Sequence, residues 1–306
     1  MKRWQKVVLF GLGLMALATS LQFAREAGKQ RPVWAELQVS EPLQKPAQFV
    51  FAAYALHWSG QTFELVASAN PDKSLWSTTG GFLAAGIGAA DVEEHRGAFF
   101  VDEQRKLLCT QQRLERIEVN ADKVALRGRL SCGYGRSVGY ALIFQADETR
   151  GVRFALALDD PELNRLYLSW SRDEDEHFFG FGEQFSRFDL AGERLPILVM
   201  EQGIGRGLQP ITLGADISAR AGGKWWSSYA PVPFYLTSKL RSFFSDSSAY
   251  QVVDMRDSQR IQLEVHDGSL LGHIYQGDSP ASLIEAHTSV VGRMPPLPAW
   301  TQQGAI

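Results

Sequence analysis

The chain has 306 residues and a formal net charge of −3, with 45% hydrophobic and 21% charged residues. This length can bury a full core, and the hydrophobic content argues against long disorder. The slightly negative charge offers no basic surface to nucleic acid, so nucleic acid is not an expected partner.

The amino terminus has the pattern of an export segment. Cations stand in the first six residues, residues 7–15 are apolar, and the ALA at 16–18 fits an A-x-A cleavage site. A membrane anchor is the alternative, because apolar residues straggle on to Ala24. A spanning helix needs roughly 20 apolar residues, more than this run supplies. We predict that residues 1–24 are a signal peptide or membrane anchor and that the protein is exported, to the periplasm or outside the cell.

Short alternating segments separated by turn signals fill most of the chain. Residues 151–158 and 260–265 carry apolar side chains at every second position, and Asp267-Gly268 is a hairpin signal. Many short strands of this kind are typical of an all-β fold. We therefore predict a large antiparallel β-sandwich over residues 31–276.

A helix is predicted after the strands. Ser279 suits its N-cap, Pro280 its first position and Gly292 its end. The expected apolar stripe comprises Leu283, Ile284, His287, Val290 and Val291. The proline-rich residues 293–298 then predict a stiff linker.

The sequence predicts no metal or cofactor site. The acidic run 173–176 stands before His177, but adjacent side chains point apart, which favours a solvated turn. The Gly-Ile-Gly at 86–88 lacks the strand-then-helix frame of a dinucleotide site and predicts a loop.

A serine hydrolase motif is also present by pattern alone. Gly135–Gly139 fits G-x-S-x-G, which requires a strand before the serine and a helix after it. Residues 140–144 follow at once and have the pattern of a strand. A serine hydrolase is therefore a poor second hypothesis.

The region from His177 to Pro233 carries the features of a binding site. Two glycine-flanked polar clusters lie at 180–186 and 201–207, and Trp225-Trp226 follow. Glycines let the backbone turn sharply, and aromatic faces beside planar polar groups suit a sugar.

Three segments here resemble one enzyme family: GFGEQFSRFDL at 180–190, LPILVMEQGIGRG at 195–207 and AGGKWWSSYAPVPFYLTS at 221–238. In this order they resemble the amino-terminal part of family-31 glycoside hydrolases, in particular the sulfoquinovosidase and α-glucosidase-like bacterial branch. The resemblance continues through GDSP at 277–280 and GRMPPLPAW at 292–300. It implies a galactose-mutarotase-like β-sandwich followed by a catalytic (β/α)₈ barrel.

The resemblance also implies a function. Family-31 enzymes are retaining α-glycosidases with two catalytic aspartates, and both aspartates lie in the barrel. Residues 277–306 are expected to be the helix, the linker and the start of that barrel, so no catalytic residue is assigned. We expect the amino-terminal domain of an exported α-glycosidase, truncated before the barrel, with an α-glucoside or α-sulfoquinovoside as partner. The alternative is a stand-alone, non-catalytic carbohydrate-binding or scaffold β-sandwich.

Within this resemblance, Glu201–Arg206 correspond to a sandwich loop that touches substrate in relatives. Arg206 offers a planar fork and Gln202 bridges hydroxyls, so Glu201, Gln202 and Arg206 are the substrate-loop candidates. The alternative is that Arg206 pairs with Glu201 to hold the loop. Trp225 and Trp226 are aromatic-platform candidates, but neighbours on a strand face opposite sides, so at most one is a platform.

The two cysteines, Cys109 and Cys132, are a disulfide candidate. The apolar faces of the hairpin at 113–132 coincide when Ile117 faces Val124. The same register without a bulge places Cys109 opposite Cys132, within bonding range. An exported chain meets an oxidising compartment. The alternative is two buried free thiols.

Overall fold

The computed structural model describes residues 30–147 and 151–303, so the predicted export segment lies outside the described residues. The strands are β1 (Glu36–Val39), β2 (Ala47–Phe51), β3 (Tyr54–Trp58), β4 (Phe63–Ala67), β5 (Asn70–Ser77), β6 (Leu83–His95), β7 (Ala98–Cys109), β8 (Gln111–Val119), β9 (Lys123–Ser131), β10 (Ser137–Asp147), β11 (Gly151–Leu158), β12 (Arg165–Ser171), β13 (Phe178–Gly182), β14 (Arg194–Ile197), β15 (Pro231–Thr237), β16 (Arg241–Ser245), β17 (Gln251–Asp254), β18 (Arg260–Val265) and β19 (Ser269–Gln276). The described helices are α1 (Pro210–Ala219) and α2 (Pro280–Val291). None of the described helices is long and apolar enough to cross a membrane.

The fold is the predicted all-β sandwich. A nine-stranded sheet runs β1-β8-β9-β10-β11-β19-β16-β15-β13, and a six-stranded sheet runs β14-β17-β18-β12-β6-β7. A third sheet contains β2-β3-β4-β5 in order. The pairings are antiparallel except for β1, which lies parallel to β8.

Aromatic rings from all three sheets meet in the core. Trp170 of β12 stacks on Phe243 of β16 with ring centroids 4.8 Å apart. Phe154 of β11 stacks on the same Phe243 at 5.3 Å, and Trp76 of β5 lies 5.6 Å from Phe154. These side chains are buried, and burying each one removes a large apolar area from water.

The predicted helix is α2. Ser279 is its N-cap, with its Oγ accepting a hydrogen bond from the Ser282 backbone N–H, and the helix ends at Gly292. The buried face differs from the predicted stripe, because Ile284 and Val291 are 47% and 50% exposed.

Helix α1 was not predicted from the sequence. The apolar residues of its segment, Ile211, Leu213, Ala215 and Ile217, recur at every second position, which is the period of a strand. The helix begins at Pro210 and ends at Ala219, and its C-cap Arg220 has a left-handed backbone conformation. Only Thr212 and Ala215 of this helix are buried.

Two short glycine motifs in the sequence have different outcomes: the structure contradicts the prediction for the first and agrees with that for the second. Residues 86–88 lie within the long strand β6, so the predicted loop is wrong. Ser137 begins strand β10, and no helix follows it, which leaves the G-x-S-x-G segment without the geometry of a nucleophile elbow.

Cys109 and Cys132 form a disulfide bond, but the predicted strand register is wrong. Ile117 pairs with Leu126 rather than with Val124, and a bulge between Leu114 and Arg116 shifts the ladder further. Cys109 is the last residue of β7, and Cys132 follows β9. The bond therefore joins the six-stranded sheet to the nine-stranded sheet, rather than two facing positions of one hairpin.

We expect Cys132→Ser to lower the free energy of unfolding by about 3 kcal/mol, the chain-entropy value for a loop of this length. Cys109 and Cys132 are 23 positions apart. Urea unfolding with and without reductant measures the effect. The wild type under reductant should match the variant, and the variant should not respond to reductant. Equal stability of the variant and the oxidised wild type would contradict the expectation.

Two buried histidines lie where α2 packs on the nine-stranded sheet. His287 stacks on Phe234 with centroids 4.1 Å apart, and the His273 Nδ1 lies 3.2 Å from the Asp147 carboxylate. Burial lowers the pKa of both imidazoles, with Asp147 opposing the shift at His273 and His273 adding to it at His287. Both rings are therefore favoured in the neutral form when the protein is folded.

We expect stability to be lost as pH falls below about 6.5, the usual histidine pKa, because the unfolded state binds protons there more readily than the folded state. Above that pH this contribution is complete. Thermal unfolding between pH 8 and pH 5 tests it, and His287→Leu should flatten the slope between pH 6.5 and pH 5. An unchanged slope in the variant would show that His287 does not carry the effect.

Candidate functional site

Residues 201–223 leave the sandwich between β14 and β15 as a closed excursion, which we call the loop lobe. Its base is held by hydrogen bonds from the Ile204 N–H to the Ala221 carbonyl (2.8 Å) and from the Gly223 N–H to the Ile204 carbonyl (3.0 Å). Gly203 has a φ of +72°, and a Cβ there would lie 2.6 Å from the Gly223 nitrogen. These glycines let two backbone segments meet directly.

The substrate-loop candidates lie in this base, but the Glu201 carboxylate and the Arg206 guanidinium do not pair with each other. Arg206 Nη1 donates to the carbonyls of Gln202 (2.6 Å) and Gly205 (3.0 Å). The Glu201 carboxylate instead accepts a hydrogen bond from the Tyr229 hydroxyl at 2.8 Å. The alternative in which Arg206 pairs with Glu201 is thus wrong, although Arg206 does brace the loop, through backbone carbonyls.

Gln202 carries unsatisfied polar atoms. Both its amide oxygen and its amide nitrogen are buried without a hydrogen-bond partner among the described residues. The side chain lines a cleft of about 350 Å³, which we call the loop cleft. Its other walls include His95, Phe100, Lys224 and Tyr229. Because an unpaired buried amide is costly, a ligand with donors and acceptors would be stabilised here.

The two tryptophans lie in a turn rather than on the predicted strand. The Ser227 N–H donates to the Lys224 carbonyl at 3.2 Å, and this reversal brings Trp225 and Trp226 to line one cleft. Both are half-buried and pack against the main core. The expectation that they face opposite sides is therefore wrong.

The cleft that contains the tryptophans, which we call the aromatic cleft, measures about 710 Å³. It shares Phe100 and Lys224 with the loop cleft. Further walls come from Phe99, Arg194 and Tyr250. Both volumes lie in the range of small-molecule sites.

The acidic run before His177 is more than a solvated turn. Glu176 is 2% exposed and accepts a hydrogen bond from Arg241 Nε at 3.0 Å. Asp173 accepts from the same guanidinium at 3.0 Å. The two carboxylates neutralise a largely buried arginine, which is a structural role.

A charged cluster that sequence analysis missed lies on the outer face of the six-stranded sheet. Glu103, Glu264 and His266 place possible metal-ligand atoms within 4.8 Å of one another. Arg165, however, binds both oxygens of Glu103, at 2.9 and 2.8 Å, and Arg105 lies 3.3 Å from Glu264. Guanidinium groups already neutralise these carboxylates, so the arrangement does not favour a cation.

The pKa of the Glu264 carboxylate is set by burial and by the cations around it. Burial alone raises its pKa, but the nearby His266 ring, 3.4 Å away, and the charges of Arg105 and Arg194 outweigh burial and lower the pKa below its usual value. Glu264 is thus ionised in the folded protein. No sequence signal could have grouped residues this far apart in the chain.

Comparison with known proteins identifies relatives of this chain. No family model matches the chain. It is 31% identical over 243 residues to a sulfoquinovosidase of Agrobacterium fabrum, covering 79% of this chain and 34% of that protein. It is 27% identical over 223 residues to a sulfoquinovosidase of Escherichia coli, covering 72% of this chain and 32% of that protein.

The fold agrees with these matches. A solved structure of a family-31 sulfoquinovosidase from E. rectale, in complex with the aza-sugar inhibitor IFGSQ, superposes with a TM-score of 0.68 at 25% identity. The superposition covers 82% of this chain and 36% of that structure. The chain thus spans about a third of the length of these relatives. Sequence and fold together relate the chain, over that third, to the sulfoquinovosidases of glycoside hydrolase family 31.

Proposed function

We propose that this chain is the β-sandwich part of a family-31 α-glycosidase and that it helps to bind the sugar without performing the chemistry. The 31% identity to a sulfoquinovosidase over 243 residues carries the proposal. In the resembled family both catalytic aspartates lie in a (β/α)₈ barrel, and the described residues form three β-sheets instead. The sugar of the parent enzyme would be an α-glucoside or an α-sulfoquinovoside.

The loop lobe is the proposed sugar contact. Arg206 uses only Nη1 to brace the loop, and its Nε and Nη2 make no hydrogen bond to the described residues. These two donors form a fork that suits an anionic or hydroxylated group. The unpartnered amide of Gln202 supplies a donor and an acceptor in the same base. The bracing fixes the guanidinium before the ligand arrives, which lowers the entropy cost of binding.

Export is part of the same proposal. The Cys109–Cys132 disulfide supports it, because such bonds persist in oxidising compartments such as the periplasm. The cationic and then apolar sequence of residues 1–24 supports either a signal peptide or a membrane anchor.

A second candidate function is a stand-alone carbohydrate-binding sandwich. The aromatic cleft favours it, since Trp225 and Trp226 line one cavity together with polar side chains. Titration of the isolated chain with maltotetraose separates the candidates. Saturable binding that Trp226→Ala abolishes would favour the stand-alone binder, and no binding would favour a domain that works only beside a barrel.

We expect the isolated chain to hydrolyse no glycoside. Cleavage needs a proton donor and a nucleophile on opposite sides of the scissile bond, about 5–5.5 Å apart in retaining enzymes. Release of aglycone from aryl α-glucosides and aryl α-sulfoquinovosides measures this, with heat-denatured protein as the control. Release clearly above the control would contradict the expectation and would place catalytic groups within the sandwich.

In a protein that joins these residues to a family-31 barrel, we expect Arg206→Ala to lower kcat/KM roughly tenfold or more. Loss of one charged hydrogen bond costs about 1.5–3 kcal/mol. Arg206→Lys should recover little of the loss, because lysine keeps the charge but not the fork.

Arg129→Ala is the matched control for Arg206. Arg129 also donates to a backbone carbonyl, that of Ser137 at 3.0 Å, but it lies on the nine-stranded sheet. This variant should retain full kcat/KM. A lowered melting temperature with unchanged kinetics for Arg206→Ala would restrict Arg206 to bracing.

A further inference from the structure

One arginine beside the aromatic cleft has no carboxylate of its own. The outer face of the six-stranded sheet beside the cleft carries a group of four arginines and three carboxylates, of which Arg194 and Arg256 line the cleft: Arg105, Arg165, Arg194, Arg256, Glu103, Asp254 and Glu264. Arg165 binds Glu103, and Arg256 binds Asp254 with nitrogen–oxygen distances of 2.9 and 2.6 Å. Glu264 lies closest to Arg105, at 3.3 Å. Arg194 is therefore the arginine of this group whose carboxylate partner is the most distant, at 3.8 Å.

Arg194 is largely desolvated, and nearby negative charge compensates only part of that cost. Its side chain is 21% exposed, and its nearest carboxylate oxygen, on Glu264, lies 3.8 Å away. That carboxylate also lies near two other cationic or polar groups, Arg105 at 3.3 Å and the His266 ring nitrogen at 3.4 Å. Within the described residues Arg194 makes no hydrogen bond, and burial lowers the pKa of its guanidinium although Glu264 partly offsets the effect. A buried charge without a close partner is costly, and an anion supplied from outside would remove the cost.

A second donor stands next to this arginine. Tyr250 lines the same cleft, and its ring meets the His266 ring edge-on with centroids 4.8 Å apart. Burial raises the pKa of the Tyr250 hydroxyl to about 12, so this group keeps its proton at neutral pH. The hydroxyl makes no hydrogen bond to the described residues and remains available as a donor.

Four carboxylates line the aromatic cleft, those of Asp91, Glu93, Asp102 and Glu193, and two of them are bound to arginines of their own. Glu193 binds Arg187, and Glu93 binds Arg220 at 2.6 Å. Their charges are therefore neutralised locally, whereas that of Arg194 is only partly offset. Opposite charges also attract more strongly where water is partly excluded.

We propose that the aromatic cleft binds an oxyanion, a carboxylate, sulfate or phosphate group, on the guanidinium of Arg194 with the Tyr250 hydroxyl as the second donor. This site goes beyond the sugar contact proposed above, because Arg194 and Tyr250 lie outside the loop lobe. The oxyanion has two sources with the same chemistry, a free inorganic anion or an acid group carried on a sugar ring. Trp225 and Trp226 supply apolar faces for such a ring.

Calorimetric titration of the whole chain at constant ionic strength tests the proposal with three probes: sodium sulfate, glucuronate and glucose. We expect saturable binding of sulfate or glucuronate, weakened at least tenfold in Arg194→Met and unchanged in the remote control Arg129→Met. Tighter binding of glucuronate than of sulfate identifies an acid-bearing sugar as the source. Sulfate binding as tight or tighter identifies a free anion. Glucose binding as tight as glucuronate, or no anion binding by the wild type, would overturn the proposal.

Stability in the absence of anion separates this role from a structural one. If Arg194 awaits a ligand, Arg194→Met should leave the melting temperature unchanged or raise it, because Glu264 keeps Arg105 and His266. A lowered melting temperature with unchanged sulfate binding would assign Arg194 to holding Glu264 and would overturn the site. Tyr250→Phe is the second variant should Arg194→Met not fold. It removes one hydroxyl and should weaken sulfate binding severalfold, and full retention of binding would also contradict the proposal.

None of these outcomes depends on the loop lobe. Loss of the oxyanion site would leave the kinetic role of Arg206 standing. Failure of Arg206→Ala to change kcat/KM would equally leave the anion titration unaffected.

Discussion

The contact between Trp170 and Phe243 is the constraint on which the arrangement of the sheets depends. Their rings stack 4.8 Å apart, and they belong to the six-stranded and nine-stranded sheets. Trp76 brings the four-stranded sheet to the same point, with its ring centroid 5.8 Å from that of Trp170. The Trp170 indole N–H also donates to the Tyr235 hydroxyl at 3.1 Å, whereas the buried Trp76 indole N–H has no hydrogen-bond partner among the described residues. No sheet can shift without opening this contact, since interiors are close-packed.

The candidate site depends on that rigidity indirectly, through the strands that flank it. Arg194 stands at the start of β14, an edge strand of the six-stranded sheet, and the loop lobe follows that strand. The lobe returns at β15, whose Tyr235 reaches the central junction. Both ends of the lobe are thus anchored in strands that the core fixes. Glycines then close its base, so the polar groups of Gln202 and Arg206 sit on a defined backbone.

Local patterns in the sequence predicted the fold well, because they report burial on a repeating backbone. Alternation over 260–265 predicted β18, and the cap signals at Ser279 and Gly292 predicted α2. Helix α1 was not predicted, because its apolar residues recur at every second position, which is the pattern of a strand. Most of the helix is also exposed, so it has no apolar stripe with a helical period. The turn between β8 and β9 pairs Ile117 with Leu126 instead of Val124, and a bulge shifts the register further, yet Cys109 and Cys132 still meet through another pair of elements.

Less of the site was predictable, and the reasons are physical. The glycine clusters marked where the backbone turns, but not that Gly203 and Gly223 pack against each other. The tryptophans were assigned to opposite faces because a strand was assumed where the Lys224–Ser227 turn stands. The partners of Arg206 are backbone carbonyls, which carry no sequence signature at all.

The two clefts are not independent cavities, and Phe100 is the reason. The guanidinium of Arg220, at the end of α1, lies 4.9 Å from its ring centroid, and Lys224 lies 6.0 Å from the same ring. Lys224 also approaches Asp216 of α1 at 3.7 Å. Phe100 therefore belongs to the walls of both clefts, and cations tied to the loop lobe contact its ring. Any movement of Phe100 would change the shape of both clefts at once, so a ligand in one cleft would affect the other through this shared wall.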